Sequence, residues 1–280
     1  MLMTPWLLGL KVSGGTPELV RNVVAGRLVV ITGASRGIGR ELAVRLASVG
    51  ATVVGIARSF DALDSLAAAF ADAEGRFVTL HGDLRDVDWA QDAGRRVVEH
   101  FGAPAVVVSN AGHSIHRNLL AYADRVHDVT RTAGVNYLGA VGLALPLLSS
   151  MADAHEGHLI SVSTTSVDVA MPGWSVYSAS KSAYEMWLRC VAPDLRAAGV
   201  ATTSVHMPRV ATAMSAPTAG RYPVPELTVQ QAADLVCRAI VTRPRYVIPW
   251  WARASAAASG AAPEAVQRVA ELAIKAGINP

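Results

Sequence analysis

Short apolar runs alternate with longer stretches of helical period along most of the chain. The runs are Leu28–Ile31, Thr52–Ile56, Phe77–Leu80, Ala105–Val108, His158–Val162, Ala201–Val205 and Tyr246–Ile248. Between them, hydrophobic positions recur at helical spacing over about 38–49, 60–73, 86–101, 122–152, 176–198 and 228–243. Continuous apolar strands separated by helices predict a parallel sheet covered on both faces. Right-handed crossovers then give an α/β fold with a single doubly wound parallel sheet of about seven strands, helices on both sides. No second core is legible. The pattern assigns 1–25 to an N-terminal extension, 26–252 to the sheet domain and 253–280 to a C-terminal helical tail. Within that tail, Ala254–Ala262 is Ala/Ser/Gly-rich and reads as a linker. Pro263 then opens an amphipathic helix with Val266, Val269, Leu272 and Ala276 near one stripe.

Composition narrows the function classes. With 51% hydrophobic and 17% charged residues among 280, the chain has ample material for a core and none of the signature of disorder. Twenty-five basic against 22 acidic side chains leave a scattered net charge of +3, which argues against a nucleic-acid partner. Cys190 and Cys237 have no metal-like spacing, so neither a disulfide framework nor a metal site is expected. Met1–Leu10 is apolar but has no basic residue before it and no small-residue cleavage site after it, so a cytoplasmic protein is expected. The uncharged stretch from Thr132 to Ala152 is long enough to raise a membrane span. Its Asn136 and Pro146 favour a buried, interface-forming helix. Tyr246–Ala252, with Trp250 and Trp251 beside Arg253, reads as an edge strand entering a packed helix, and peripheral contact with a membrane surface or an acyl substrate stays open.

The first strand runs into Thr32-Gly33-Ala34-Ser35-Arg36-Gly37-Ile38-Gly39, and a helix follows at once. Glycines let the backbone approach a pyrophosphate, and a helix N-terminus offers it free N–H groups and the positive dipole end. Placed at the start of a βαβ series, this turn marks a Rossmann-type dinucleotide site. The second strand ends at Ile56-Ala57-Arg58. An NAD site usually places a carboxylate there for the ribose 2′-hydroxyl, whereas Arg58, with Arg36 facing the same corner, suits a 2′-phosphate. Two cations and no carboxylate favour NADPH over NADH.

Tyr177-Ser178-Ala179-Ser180-Lys181 sets a phenol and an ammonium four residues apart on one helix face. A phenol near its ordinary pKa of about 10 is a poor acid–base catalyst at neutral pH. A nearby cation favours phenolate and lowers that value, as proton exchange during hydride transfer requires.

With these motifs together, the sequence resembles the classical short-chain dehydrogenase/reductases over about residues 26–250. The glycine turn resembles the family's cofactor loop, contributing Gly33, Ser35, Arg36, Gly37, Ile38 and Gly39. Asp83 and Leu84 match the pair that holds adenine, and Asn110-Ala111-Gly112 matches the motif beside the cofactor that stabilises the central sheet. The resemblance makes Tyr177 the acid–base residue and Lys181 the ligand of the nicotinamide ribose. Asn136 then supports a water relay to the lysine. Pro208-Arg209-Val210-Ala211-Thr212 resembles the stretch flanking the nicotinamide, with Val210 and Thr212 as cofactor contacts and arginine where glycine is usual. The catalytic serine, thirteen residues before the tyrosine in the family, is Thr164 here; Ser163 takes that role if the register slips by one.

A narrower resemblance lies in Asn110–Arg117, Tyr122–Asp128, Asn136–Val141, Val205–Pro208 and Met214–Thr218. These segments are similar to the bacterial short-chain reductases that include fatty acyl-CoA reductase, and they imply a long-chain acyl or lipid-like carbonyl substrate. Met214, Pro217, Tyr222, Pro223 and Pro225 form an apolar loop expected over the site, with Met171 and Trp174 facing the same cleft. The family pairs two helices across a two-fold axis, which implies a homodimer or homotetramer. Two alternatives remain: a ketone reductase for a steroid or polyketide, and an NADPH-binding sensor of little activity.

Overall fold

Seven β-branched runs line up edge to edge in the order β3-β2-β1-β4-β5-β6-β7, with every pairing parallel. The computed structural model describes residues 14–71, 73–118, 123–218 and 226–275. Its strands are β1 (Leu28–Thr32), β2 (Thr52–Ala57), β3 (Arg76–His81), β4 (Val106–Ser109), β5 (Gly157–Thr164), β6 (Val200–Met207) and β7 (Tyr246–Val247). Strand order reverses between β1 and β4, and this switch point opens a crevice at the carboxyl ends of the strands.

Helices cover both faces. On one side α1 (Pro17–Val24), α2 (Gly37–Ser48) and α8 (Val229–Thr242) bury Val24, Leu42, Leu46, Val236 and Ile240 against the sheet. On the other side lie α4 (Val87–Phe101), α6 (Gly139–Asp153) and α7 (Ser175–Ala197), which bury Ala93, Val97, Leu143, Leu147 and Leu188. The short helix α3 (Phe60–Ala69) packs on β3. Although α1 falls in the expected N-terminal extension, its Val20 and Val24 belong to the core.

The helix expected over 122–152 is composite. It comprises α5 (Val126–Ala133), a π-helical turn at Gly134–Leu138, and α6. Val126–Asp153 is long and apolar enough to cross a membrane, yet half of its most apolar window is buried. Its packing explains its composition: a Cβ on Gly94 of α4 would press on Pro146 and on the Leu143 carbonyl of α6, so the two helices meet backbone to backbone. The linker expected over Ala254–Ala262 is instead most of a helix, α9 (Trp250–Ala261), followed by α10 (Pro263–Lys275). Alanine has the highest intrinsic helix propensity, and a run of it outweighs one glycine and two serines. Trp251 packs against the core while Trp250 is exposed.

One buried side chain sets a pH limit on the sheet. His158 on β5 is inaccessible and meets Thr203 Oγ1 on β6 at 2.8 Å. Burial, reinforced by the positive charges of Arg243 and Arg196, pushes its pKa down to about 3. The unfolded chain binds a proton here below about 6.5 and the native state does not, so stability is full above that pH and falls as acid is added. The slope contributed is at most about 1.4 kcal/mol per pH unit. Between pH 6.5 and 5, the melting temperature of a His158→Gln variant should therefore fall less steeply than that of the wild type. Parallel slopes would show that His158 is not the sensitive group.

Candidate active site

The glycine turn takes its shape from backbone that only glycine tolerates. Gly33 and Gly37 have φ of +69° and +57°. A Cβ on Gly39 would press into the Gly33 carbonyl oxygen and the Asn110 amide. Arg36, the residue before α2, makes no side-chain capping bond, so the first amides of the helix face the crevice without a cap. The turn is locked to β4: Thr32 Oγ1 accepts from the amides of Asn110 and Ala111, both at 2.9 Å, and Asn110 Nδ2 donates to the Thr32 carbonyl at 2.9 Å. An open helix terminus behind a glycine surface fits a pyrophosphate. Thr212 closes the same spot from the far loop, near enough that a Cβ on Gly37 would lie 3.6 Å from its methyl.

Arg36 on the glycine turn and Arg58 at the end of β2 are both exposed, as expected, and beside Arg58 a carboxylate is present too. Arg58 Nη1 lies 3.8 Å from Asp83 Oδ2. Asp83 is held by Arg85, whose backbone amide reaches Oδ1 at 3.0 Å and whose Nε reaches Oδ2 at 2.8 Å. Opposing its burial, these bonds lower the pKa of Asp83. Two guanidiniums, Arg58 and Arg85, against one carboxylate leave the corner positive. Leu84 is buried beneath it, Ser35 and Ile38 are half-buried along the turn, and Val210 is buried, bridging to Leu227.

The chemistry-bearing residues converge at the carboxyl ends of β4 and β5. Thr164, which ends β5 and accepts from the Ser166 amide at 3.2 Å, lies close enough to the Tyr177 phenol to act on its pKa. Ser163 Oγ is buried without a hydrogen-bond partner, so the structure brings Thr164 rather than Ser163 to the tyrosine. Lys181 Nζ donates to the Val162 carbonyl at 3.0 Å, and a Cβ on Gly112 would lie 3.6 Å from it. Asn136 sits in the π-helical turn, where an extra residue per turn swings it inward. Its Oδ1 accepts from the His113 amide at 2.8 Å, and its Nδ2 donates to the His113 carbonyl and to Ser180 Oγ, each at 2.9 Å. Both of its polar atoms are thus engaged in tying the segment after β4 to α7.

The charge states differ from the simplest expectation. Burial raises the pKa of the Tyr177 phenol, against the lowering effect of Thr164, so at neutral pH it is a protonated acid. Burial pushes the Lys181 ammonium down to about 8, with Glu185 opposing. The expected lowering of the phenol by Lys181 is therefore absent from the protein alone. Burial, then Arg131 and Arg58, lower the pKa of His113, whose Nδ1 lies 3.3 Å from Thr132 Oγ1.

An aromatic wall flanks the site. Trp174 meets Tyr177 edge-on at 5.8 Å and His116 at 5.1 Å. The Arg117 amide donates to the Gly173 carbonyl at 2.8 Å, holding the two sides of the cleft together. Met171 is half-buried beside Trp174, while Met214 is exposed. Tyr222, Pro223 and Pro225 lie outside the described residues. Two contributors had no role assigned from the sequence, and a third, Arg209, was noted there only as a departure from the family pattern. Ser180 links Asn136 to the Tyr177 carbonyl, to which its hydroxyl donates at 2.8 Å. Thr32 is the clamp just described. Arg209, where glycine is usual, clasps the next loop through the Thr218 and Ser215 carbonyls at 3.0 and 3.1 Å and pairs with Glu226 at 2.9 Å. No group of three or more His, Cys, Asp or Glu able to hold a metal occurs among the described residues. A cavity of about 390 Å³ lies elsewhere, between α7 and the β6–β7 edge, away from these residues.

Sheet order, glycine turn and the hydroxyl–phenol–ammonium cluster together define an α/β oxidoreductase architecture. A sequence model of the short chain dehydrogenase family matches residues 27–222, and the chain belongs to that family of oxidoreductases. It is 36% identical over 253 residues to an uncharacterized oxidoreductase of Mycobacterium tuberculosis, covering 89% of this chain and 74% of the relative. It is 35% identical over 246 residues to a fatty acyl-CoA reductase of Acinetobacter baylyi, covering 88% and 83%. Among solved structures, it superposes on a metagenomic short-chain oxidoreductase in complex with NADP with a TM-score of 0.70. That match has 24% identity and covers 81% of this chain and 97% of the other. A short-chain type dehydrogenase/reductase from Mycobacterium marinum gives 0.71 at 22% identity, covering 82% and 96%.

Proposed function

We propose that the protein is an NADPH-dependent reductase of a carbonyl group on a hydrophobic, acyl or lipid-like substrate. The observation that carries this reading is the convergence of Thr164, Tyr177 and Lys181 beside an uncapped, glycine-lined helix terminus. NADPH bound along the glycine turn supplies the hydride. Gly33, Ser35, Gly37, Ile38 and Gly39 line its pyrophosphate site, Arg36 and Arg58 its 2′-phosphate, Asp83 and Leu84 its adenine, and Asn110, Ala111, Gly112, Val210 and Thr212 its nicotinamide half.

Thr164 donates a hydrogen bond to the substrate oxygen, and Tyr177 gives that oxygen its proton. A phenol kept protonated by burial suits this direction, since reduction consumes an acid. Lys181 binds the ribose, and its charge stabilises the phenolate left behind. Asn136 acts through position, holding the His113 segment against α7. A ketone or aldehyde leaves as an alcohol; a thioester leaves as aldehyde plus thiol. Trp174, Met171 and Met214 supply apolar surface for a chain, and the similarity to a fatty acyl-CoA reductase supports an acyl substrate. NADPH oxidation against panels of acyl-CoA, fatty aldehyde and ketone separates these readings, and a flat response to all three favours a cofactor-binding sensor.

Leu138 and Leu145 on the α6 side and Met186 on α7 are each about half exposed, an apolar face for a second copy in a cytoplasmic homodimer or homotetramer. Light scattering should give a multiple of 29.3 kDa, and an active monomer would remove this assignment.

Tyr177→Phe should lower turnover by several orders of magnitude with NADPH binding nearly intact. Thr164→Ser should keep activity, whereas Thr164→Val should lose about 10²–10³-fold, as for a missing oxyanion donor. Turnover within tenfold of wild type in Tyr177→Phe would overturn the mechanism. In a binding titration, Arg58→Ala should weaken NADPH by about 10- to 100-fold through loss of a charge-assisted bond. It should leave NADH almost unchanged, and equal effects on both would defeat the 2′-phosphate assignment.

A further inference from the structure

Beneath Lys181 lies a cluster of buried charge that neither the fold nor the proposed chemistry uses. Glu185 follows Lys181 by one helical turn on α7, and its side chain is 4% exposed. Glu185 Oε2 accepts from Ser204 Oγ on β6 at 2.5 Å. Glu185 Oε1 lies 3.3 Å from Arg189 Nε and 3.4 Å from His206 Nε2. The other ring nitrogen of His206, Nδ1, lies 2.6 Å from Asp168 Oδ2. His206 is fully buried and Asp168 is 8% exposed. Three ionisable groups from α7, β6 and the turn after β5 thus form a line, Asp168–His206–Glu185, ending one turn from the lysine.

Burying two carboxylates is costly, and packing alone would be served as well by apolar side chains. The arrangement offsets that cost at Glu185. Although burial opposes it, the hydrogen bond to Asp168 and the charges of Asp168 and Glu185 raise the pKa of His206. Likewise, His206, Ser204 and Arg189 outweigh burial to lower that of Glu185. A protonated imidazole between the two carboxylates leaves the line with a net negative charge, and a neutral one leaves it more negative still. Arg189 sits on its outer side, 44% exposed and screened by water. Among the described residues, Glu185 is the one charged group acting on Lys181, whose other neighbours include the Val162 carbonyl on β5 and Gly112 after β4.

We propose that Glu185, held in place by His206 and Ser204, is a positioning residue whose buried charge keeps Lys181 an ammonium. Its effect on turnover rests on the role of Lys181 given above; the protonation state of Lys181 does not. Removing the charge makes the lysine lose its proton at lower pH, so ribose binding and phenolate stabilisation fail earlier as pH rises.

The test is competitive labelling of the cofactor-free protein with trace acetic anhydride across pH 6–10, with acetylation of Lys181 read by mass spectrometry. In the wild type the midpoint should fall near pH 8. Glu185→Gln should lower it by about one unit, as expected for loss of a neighbouring opposite charge. The alkaline limb of NADPH binding should move with it. Glu185→Asp, which withdraws the carboxylate by one methylene, should shift the midpoint less and in the same direction; it also serves as the test if the glutamine variant does not fold. An unmoved or raised midpoint in whichever variant folds overturns the proposal. A lowered midpoint alongside an active Tyr177→Phe enzyme would uphold it while removing the catalytic reading.

Discussion

Everything at the carboxyl edge of the sheet depends on one hydroxyl. Thr32 Oγ1 receives the amides of Asn110 and Ala111, and Asn110 returns a bond to the Thr32 carbonyl. A doubly wound sheet must part where its strand order reverses, and the backbone groups exposed there need partners. Thr32 and Asn110 supply them across the gap. The clamp fixes the glycine turn on one side and, on the other, the chain that continues to His113, Asn136 and Ser180. Cofactor cradle and acid–base cluster thereby share one frame.

The frame was legible in the sequence because its signals are local. Seven β-branched runs became seven parallel strands, and Gly33, Gly37 and Gly39 lie where the backbone excludes a Cβ or takes positive φ. Tyr177 and Lys181 share a helix face at a spacing visible in the chain. What was hidden depends on partners far apart. Asp168 meets His206 across 38 residues and Ser204 meets Glu185 across 19, and no periodicity announces either. Asp83 entered the corner of Arg58 because β3 runs beside β2, a register seen only once the sheet is built. The π-helical turn escaped because hydrophobic period does not distinguish an i+4 from an i+5 bond within one turn.

Electrostatically, the site combines a positive outer corner with a partly buried interior. Arg58 and Arg85 face water around Asp83, where charge steers an anionic ligand and is screened by salt. Inside, Lys181 and Tyr177 are governed by burial, and neighbours a few ångströms away decide their protonation. Recognition at the rim and proton control at the centre can therefore vary independently.

The parallel pairing of β1 with β4 has a consequence for how the protein is made. Val29 sits beside Val106 and Val30 beside Val107, while β2, β3 and their helices occupy the intervening chain. Such non-local pairing loses loop-closure entropy before any contact repays it, so folding is slow relative to helical proteins of similar size. During synthesis the glycine turn emerges early but has nothing to lean on until Asn110 has left the ribosome. A chain stalled before that point holds the sequence of the cradle without its shape.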